Sequence, residues 1–276
     1  MDGADARVTL RAAHVEAILD PAAGGRIATL RVDDLALLVT ERNGPLSWGA
    51  YPMVPWAGRL RDGTFEFAGE VHLMARTMPP HAIHGTTWDR PWRVTAAGPS
   101  EATLEIGLAP DWPLGGRAIH RVAVHPDRLT ATLEVHAADR PMPAIVGWHP
   151  WFPRQLARGG PVELDLRAAG MLIRGPDGLP TGTIIPPPPG PWDDTFVDLA
   201  AAPVVRWPGA IEVAVQADVP FWVIYTEHQS GICVEPQTGP PNGLATGACF
   251  LVQPGRPLIA SMTLAWRRLD ASTPPA

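Results

Sequence analysis

The chain has no lysine; all 22 of its basic residues are arginine. Without a side-chain ε-amine no Schiff base can form, which excludes class I aldolase and pyridoxal chemistry. A G-x-x-x-x-G-K phosphate loop is excluded on the same ground. Cysteine is almost as scarce: Cys233 and Cys249 are the only two, and they form neither a C-x-x-C pair nor a disulfide framework. Two buried, reduced thiols are the expectation. Charged residues make up 18% of the chain, the formal net charge is −6, and no basic run occurs, so nucleic acid and anionic membrane surfaces are poor partners. No run of about 18 apolar residues is present, so no membrane-spanning helix is expected. The opening MDGADARVTL is polar and then strand-like, unlike a signal peptide. A soluble, cytoplasmic protein is the default expectation.

What is present is period-2 alternation. RLTATLEVHA sets Leu129, Ala131, Leu133 and Val135 on one face, and LIASMTLAW does the same for Leu258, Ala260, Met262, Leu264 and Trp266. TFEFAG, ATLEIGLA, VELDLRA, IEVAVQA and FWVIYTE repeat the pattern, which is that of half-buried antiparallel strands. Gly, Pro, Asp and Asn punctuate these runs, and no amphipathic helix longer than three turns stands out. The proline run in IIPPPPGPWDD, Ile184 to Asp194, is expected to be extended, as a surface loop or the rim of a site. With 276 residues, 46% of them hydrophobic, and no repeat or linker, the chain reads as one all-β domain over 1–276, a large antiparallel β-sandwich.

Polar groups set inside apolar or aromatic stretches are the candidates for chemistry. Arg59 follows the apolar run of YPMVPWAGR and can offer a guanidinium fork to a hydroxyl or carboxylate, although alone it suits a surface turn better. His81 and His84 in HAIHG are three apart; no Cys or acid nearby completes a metal-ligand set. His149 lies among aromatics and prolines in AIVGWHPWFP. Glu235 follows the apolar strand of GICVEPQT, where partial burial would raise its pKa toward that of a general base. Asp193 and Asp194 follow Trp192.

Taken in order, PMVPWAGRL with GTFEFAG, HAIHG, GWHPWF, DDTF and VEPQT resemble five elements of the aldose 1-epimerase (galactose mutarotase) family over most of the chain. The resemblance implies the galactose mutarotase-like supersandwich, a monosaccharide substrate, a monomer or homodimer, and neither metal nor cofactor. It implies His149 as general acid and Glu235 as general base, with Arg59, His84, Asp193 and Trp151 contacting the sugar. Asp193 is preferred over Asp194 because it stands three residues before Phe196, as in the family pattern. Two departures are Gly58, where the family commonly has Asn, and Trp151, where Tyr is usual. Of the 11 tryptophans, Trp56, Trp151 and Trp192 are the candidates for stacking on a pyranose.

The implied reaction exchanges α and β anomers by ring opening, with Glu235 taking the C1-hydroxyl proton and a protonated His149 serving the ring oxygen. Alternatives are a hexose-6-phosphate 1-epimerase, for which Arg59, Arg61 and Arg154 would be available, a non-catalytic carbohydrate-binding module, and a polysaccharide lyase or glycosidase. A glycosidase wants two carboxylates flanking the bond, whereas His with Glu favours ring opening.

Overall fold

The alternating segments assemble into two large antiparallel sheets. The computed structural model describes residues 7–41 and 44–269, so the polar start of the chain falls outside the described residues. The eleven-stranded sheet runs in spatial order through Val8–Ala12, Val15–Asp20, Arg26–Val32, Ala50–Met53, Gly147–Pro153, Gly231–Gln237, Phe221–Tyr225, Asp193–Leu199, Ala168–Arg174 and Pro180–Ile185, with Leu35–Ala36 beside Arg26–Val32. The eight-stranded sheet runs through Arg93–Ala97, Glu101–Gly107, Arg117–Val124, Arg128–His136, Leu258–Arg268, Ile211–Ala217, Val204–Trp207 and Glu163–Asp165.

The faces fall as alternation dictates. Leu129, Ala131, Leu133 and Val135 are buried on the smaller sheet, as are Leu258, Ala260, Met262, Leu264 and Trp266. Both sheets contribute to one continuous apolar core. Among the described residues the one α-helix is the four-residue Gly243–Thr246 segment. No described helix is long and apolar enough to cross a membrane. Pro186–Pro189 lie in a surface loop outside the strands and do not line the cavity described below.

Two buried polar residues stiffen the sheet interior behind the site. The Trp148 indole donates to His120 Nε2 at 3.2 Å, so His120 Nδ1 carries the proton toward the Gly25 carbonyl at 3.1 Å. Burial pushes this imidazole down to about 4, and it is neutral at pH 7. Arg26, 2% exposed, donates to the carbonyls of Ala23, Trp48, Pro45 and Trp88. Its guanidinium lies 4.0 Å over the Trp48 ring and 5.0 Å from the Tyr51 centroid. A planar five-donor cation suits such a carbonyl cage in a way a lysine ammonium would not.

Candidate active site

Three adjacent strands in the middle of the larger sheet carry the central residues. Tyr51 is opposite His149 across the Ala50–Met53 and Gly147–Pro153 pair. On the other side, the register that joins Gly147 to Gln237 and Trp151 to Cys233 sets His149 directly across from Glu235. Residues 86 positions apart in sequence thus become a cross-strand pair, with side chains on the same face. His149 Nε2 is 3.2 Å from Glu235 Oε1, and the two side chains are 7% and 3% exposed.

The strand that carries His149 runs through Pro150 without a break. It continues to Pro153, and Pro150 pairs with Ala50. Plain alternation therefore suffices to put His149 and Trp151 on one face. Their rings stack at 5.4 Å and 14°, and Tyr51 stacks on the imidazole at 4.8 Å and 23°. The opposite face takes Trp148 into the core.

His149, Glu235 and Trp151 open on a cavity of about 230 Å³ that also receives Arg59, His84, Asp193, Arg174 and Tyr225. The volume is below the roughly 300–1,000 Å³ usual for drug-sized ligands, and suits a small molecule. His84 sits at φ +58° with Gly85 next at φ +81°. Only glycine fits at 85, where a Cβ would come within 1.8 Å of the Val54 carbonyl oxygen. This turn aims the imidazole: Gly58 N–H donates to His84 Nδ1 at 3.2 Å, leaving Nε2 as the N–H donor on the ring's other edge. Burial, then the neighbouring His149 and Arg59, hold His84 well below the usual imidazole range. Gly58 itself, at φ +71°, has Pro241 where a Cβ would be, at 2.7 Å, so glycine here goes with the close approach of that proline.

Charges on the opposite wall are paired among themselves. Asp193 accepts from Arg174 at 2.7 Å and from Arg59 at 3.4 Å. Arg174 also reaches Asp194 at 3.4 Å and Glu227 at 3.8 Å. Arg61 pairs with Asp177, and neither lines the cavity. Arg154 spends its donors on the carbonyls of His228 and Thr226, at 3.0 and 2.5 Å. The cluster of free guanidinium groups that a phosphate would recruit is absent among these residues.

Burial dominates the electrostatics of the central pair. It lowers His149 to about 3; the residue's own backbone opposes this and Arg26 adds to it. It pushes Glu235 well up, helped by the charge of Asp193 and opposed by Gln237 and Arg59. A resting imidazolium, expected from the sequence, therefore runs against desolvation in the unliganded chain. Both shifts favour the uncharged forms, in which the carboxyl carries the proton; moving that proton across the 3.2 Å contact gives imidazolium and carboxylate with the same proton count.

The structure thus brings His149, Glu235, Arg59, His84, Asp193 and Trp151 together around one cavity. It removes two of the three nominated tryptophans. Trp56 is buried against Trp112, and Trp192 packs edge-on to Phe196 while donating to the Pro188 carbonyl; neither lines the cavity. His81 is no partner of His84 in metal binding: its Nδ1 accepts from Asp62 N–H at 3.1 Å and its Nε2 meets the Asp177 carbonyl at 3.0 Å. Cys233 has its ligand atom within 4.8 Å of those of His149 and Glu235, but burial keeps its thiol well above the ordinary value, so it is a packed, protonated thiol beneath the pair. The sequence reading missed Arg174, Gln237 and His228. It also passed over the only two tyrosines in the chain: Tyr225, which lines the cavity, and Tyr51, which stacks on the buried side of His149.

Large antiparallel sheets packed in this way are also the fold of solved galactose mutarotase-like proteins. The structure superposes on a galactose mutarotase-like protein from Clostridium acetobutylicum with a TM-score of 0.81 at 15% identity, over 95% of either chain. The GalM/aldose epimerase homologue from C. elegans matches with a TM-score of 0.82 at 14% identity, over 96% of this chain and 99% of that one. Galactose 1-epimerase from Lactobacillus acidophilus NCFM matches with a TM-score of 0.76 at 17% identity, over 94% and 93%. At these identities the likeness is one of fold. No curated protein matches the sequence. The aldose 1-epimerase family model matches residues 7–264, and the chain belongs to that family.

Proposed function

We propose that this chain is an aldose 1-epimerase acting on an unphosphorylated aldohexose, with His149 and Glu235 as its acid–base pair. The observation that carries the reading is the buried 3.2 Å contact between an imidazole and a carboxyl on the wall of a sugar-sized cavity. Anomer exchange requires the C1 hydroxyl to lose a proton and the ring oxygen to gain one. In the singly protonated pair, one tautomer has a carboxylate to accept and an imidazolium to donate. Glu235 takes the proton from O1, the C1–O5 bond breaks as the C1 carbonyl forms, and O5 takes the proton from His149. Rotation about C1–C2 presents the other carbonyl face. On closure His149 recovers the proton from O5, and Glu235 returns one to the new hydroxyl, so the pair ends as it began. Each such group contributes about 10²- to 10⁴-fold. Trp151 offers an aromatic face to the apolar side of the ring, and His84, Arg59 and Asp193 offer donors and acceptors to its hydroxyls.

The choice of a free over a phosphorylated sugar rests on charge. Arg59 and Arg174 are already shared with Asp193, Asp194 and Glu227, so a dianionic phosphate would meet three acids beside two bases. The test is anomer exchange of glucose and galactose, followed by NMR or polarimetry, beside glucose 6-phosphate. Exchange of the phosphate alone would reverse the substrate assignment. Sugar binding without any rate would leave a binding module.

A further inference from the structure

We infer that Gln237 is a positioning residue for Glu235, an inference that rests on the proposed epimerase reaction: its amide fixes the plane of the carboxyl so that one oxygen is presented to the sugar. Gln237 ends the Gly231–Gln237 strand two residues after Glu235, so alternation puts both side chains on the same face. Its Nε2 donates to Glu235 Oε2 at 3.2 Å, while His149 Nε2 stands 3.2 Å from Oε1. The two carboxyl oxygens thus have different partners, one of them an amide that holds no proton the reaction uses.

Space for this amide is made by the neighbouring strand. Gly147 is paired with Gln237, and a Cβ on it would lie 3.0 Å from Gln237 Cγ and 2.6 Å from the Pro236 carbonyl oxygen. Fold stability does not account for the residue. Gln237 is wholly buried and its Oε1 has no hydrogen-bond partner, an arrangement that costs stability compared with an apolar side chain of equal length. Position for catalysis supplies the reason for a glutamine in a place where packing prefers methionine.

The two accounts diverge under substitution. Gln237→Met fills the same space without the donor or the orphaned acceptor. A positioning role predicts a wild-type or higher Tm, a fall in kcat of about ten- to a hundredfold, the range a hydrogen bond to a charged group commands, and little change in KM. It also predicts that the limb of the pH–rate profile set by Glu235 moves to higher pH, because the donor that favours the ionised carboxyl is gone. The other groups facing Glu235 stay in place in this variant: His149, Tyr51 on the strand beyond it, Cys233 on its own strand, and Asp193 and Arg59 across the cavity. Gln237→Glu is the second variant, of the same shape, and it should lose at least as much activity. Near-wild-type kcat with an unmoved pH limb in either folded variant overturns the inference, as does a loss of activity that only follows a loss of Tm. If the wild-type chain exchanges no anomers, it is the functional reading that fails; an active wild type with indifferent Gln237 variants sinks the positioning role alone.

Discussion

Glu235→Gln should make the protein slower and, at neutral pH, more stable. The carboxyl is 2% exposed, 3.2 Å from His149 and 3.2 Å from Gln237, so an amide of equal shape fits without a cavity. It cannot accept the O1 proton, and anomer exchange should fall by about 10²- to 10⁴-fold, or about 3–5 kcal/mol of barrier at about 1.4 kcal/mol per tenfold. Stability moves the other way. Burial raises the folded-state pKa of Glu235 above its unfolded value of 4.5. Its contribution is therefore fully present below pH 4.5 and is lost as pH rises through the folded pKa, by about 1.4 kcal/mol for each tenfold difference in proton affinity. The uncharged amide of the variant carries no such loss. Urea unfolding of both proteins at pH 5, 7 and 8.5, with rates from NMR exchange on galactose, reads both effects. The stability gap should widen in favour of the variant as pH climbs. A folded variant with wild-type rate refutes the catalytic base, and a gap that does not vary with pH refutes the buried, proton-retaining carboxyl.

Three further outcomes are expected. His120 is lowered from 6.5 to about 4, so its contribution is present above pH 6.5 and is lost as pH falls, by about 3 kcal/mol by pH 4; denaturant midpoints of His120→Gln should fall less between pH 7 and 4.5 than those of the wild type. Asp193→Asn takes the shared partner from Arg59 and Arg174; KM for galactose should rise about tenfold, as expected for one lost hydrogen bond to a charged group, and exchange of glucose 6-phosphate should improve relative to glucose in the same NMR assay. Trp151, 3% exposed and donating to the Leu46 carbonyl at 2.6 Å, should cost about 3–5 kcal/mol of unfolding free energy when cut to Ala, whereas Trp151→Phe should keep most of the stack on His149 and of kcat, as steady-state kinetics would show.

Much of this site could be read from the chain because strand alternation is local. A period of two tells which residues share a face, and it marked the buried stripes of both sheets; Trp151 came from the family resemblance, and it shares the face of His149 because the strand runs unbroken through Pro150. Alternation holds the same information for Gln237, two residues past Glu235 in VEPQT, although a neutral amide gave no chemical reason to look. Which strands become neighbours is a different matter. Nothing near Arg174 in MLIRGPDG signals that it will meet Asp193, because that contact depends on the pairing of Ala168–Arg174 with Asp193–Leu199. Trp56 and Trp192 show the same limit from the other side: aromatic neighbours in sequence made them plausible, and tertiary packing turned both away from the cavity. Protonation was the least legible property, since desolvation depends on everything that surrounds the pair.

The guanidinium and imidazole groups around the cavity have one more consequence. In the proposed reaction, ring opening would make a free aldehyde, the form of a sugar that condenses with amines. In a protein without lysine, the nitrogen groups that face it are the guanidinium groups of Arg59 and Arg174 and the imidazoles of histidines, none of which forms a stable imine. The thiol nearest the pair, Cys233, is buried and protonated. Under the proposed reaction the open-chain sugar would meet no amine on this wall: the surface that orients the substrate is also inert toward imine formation with it.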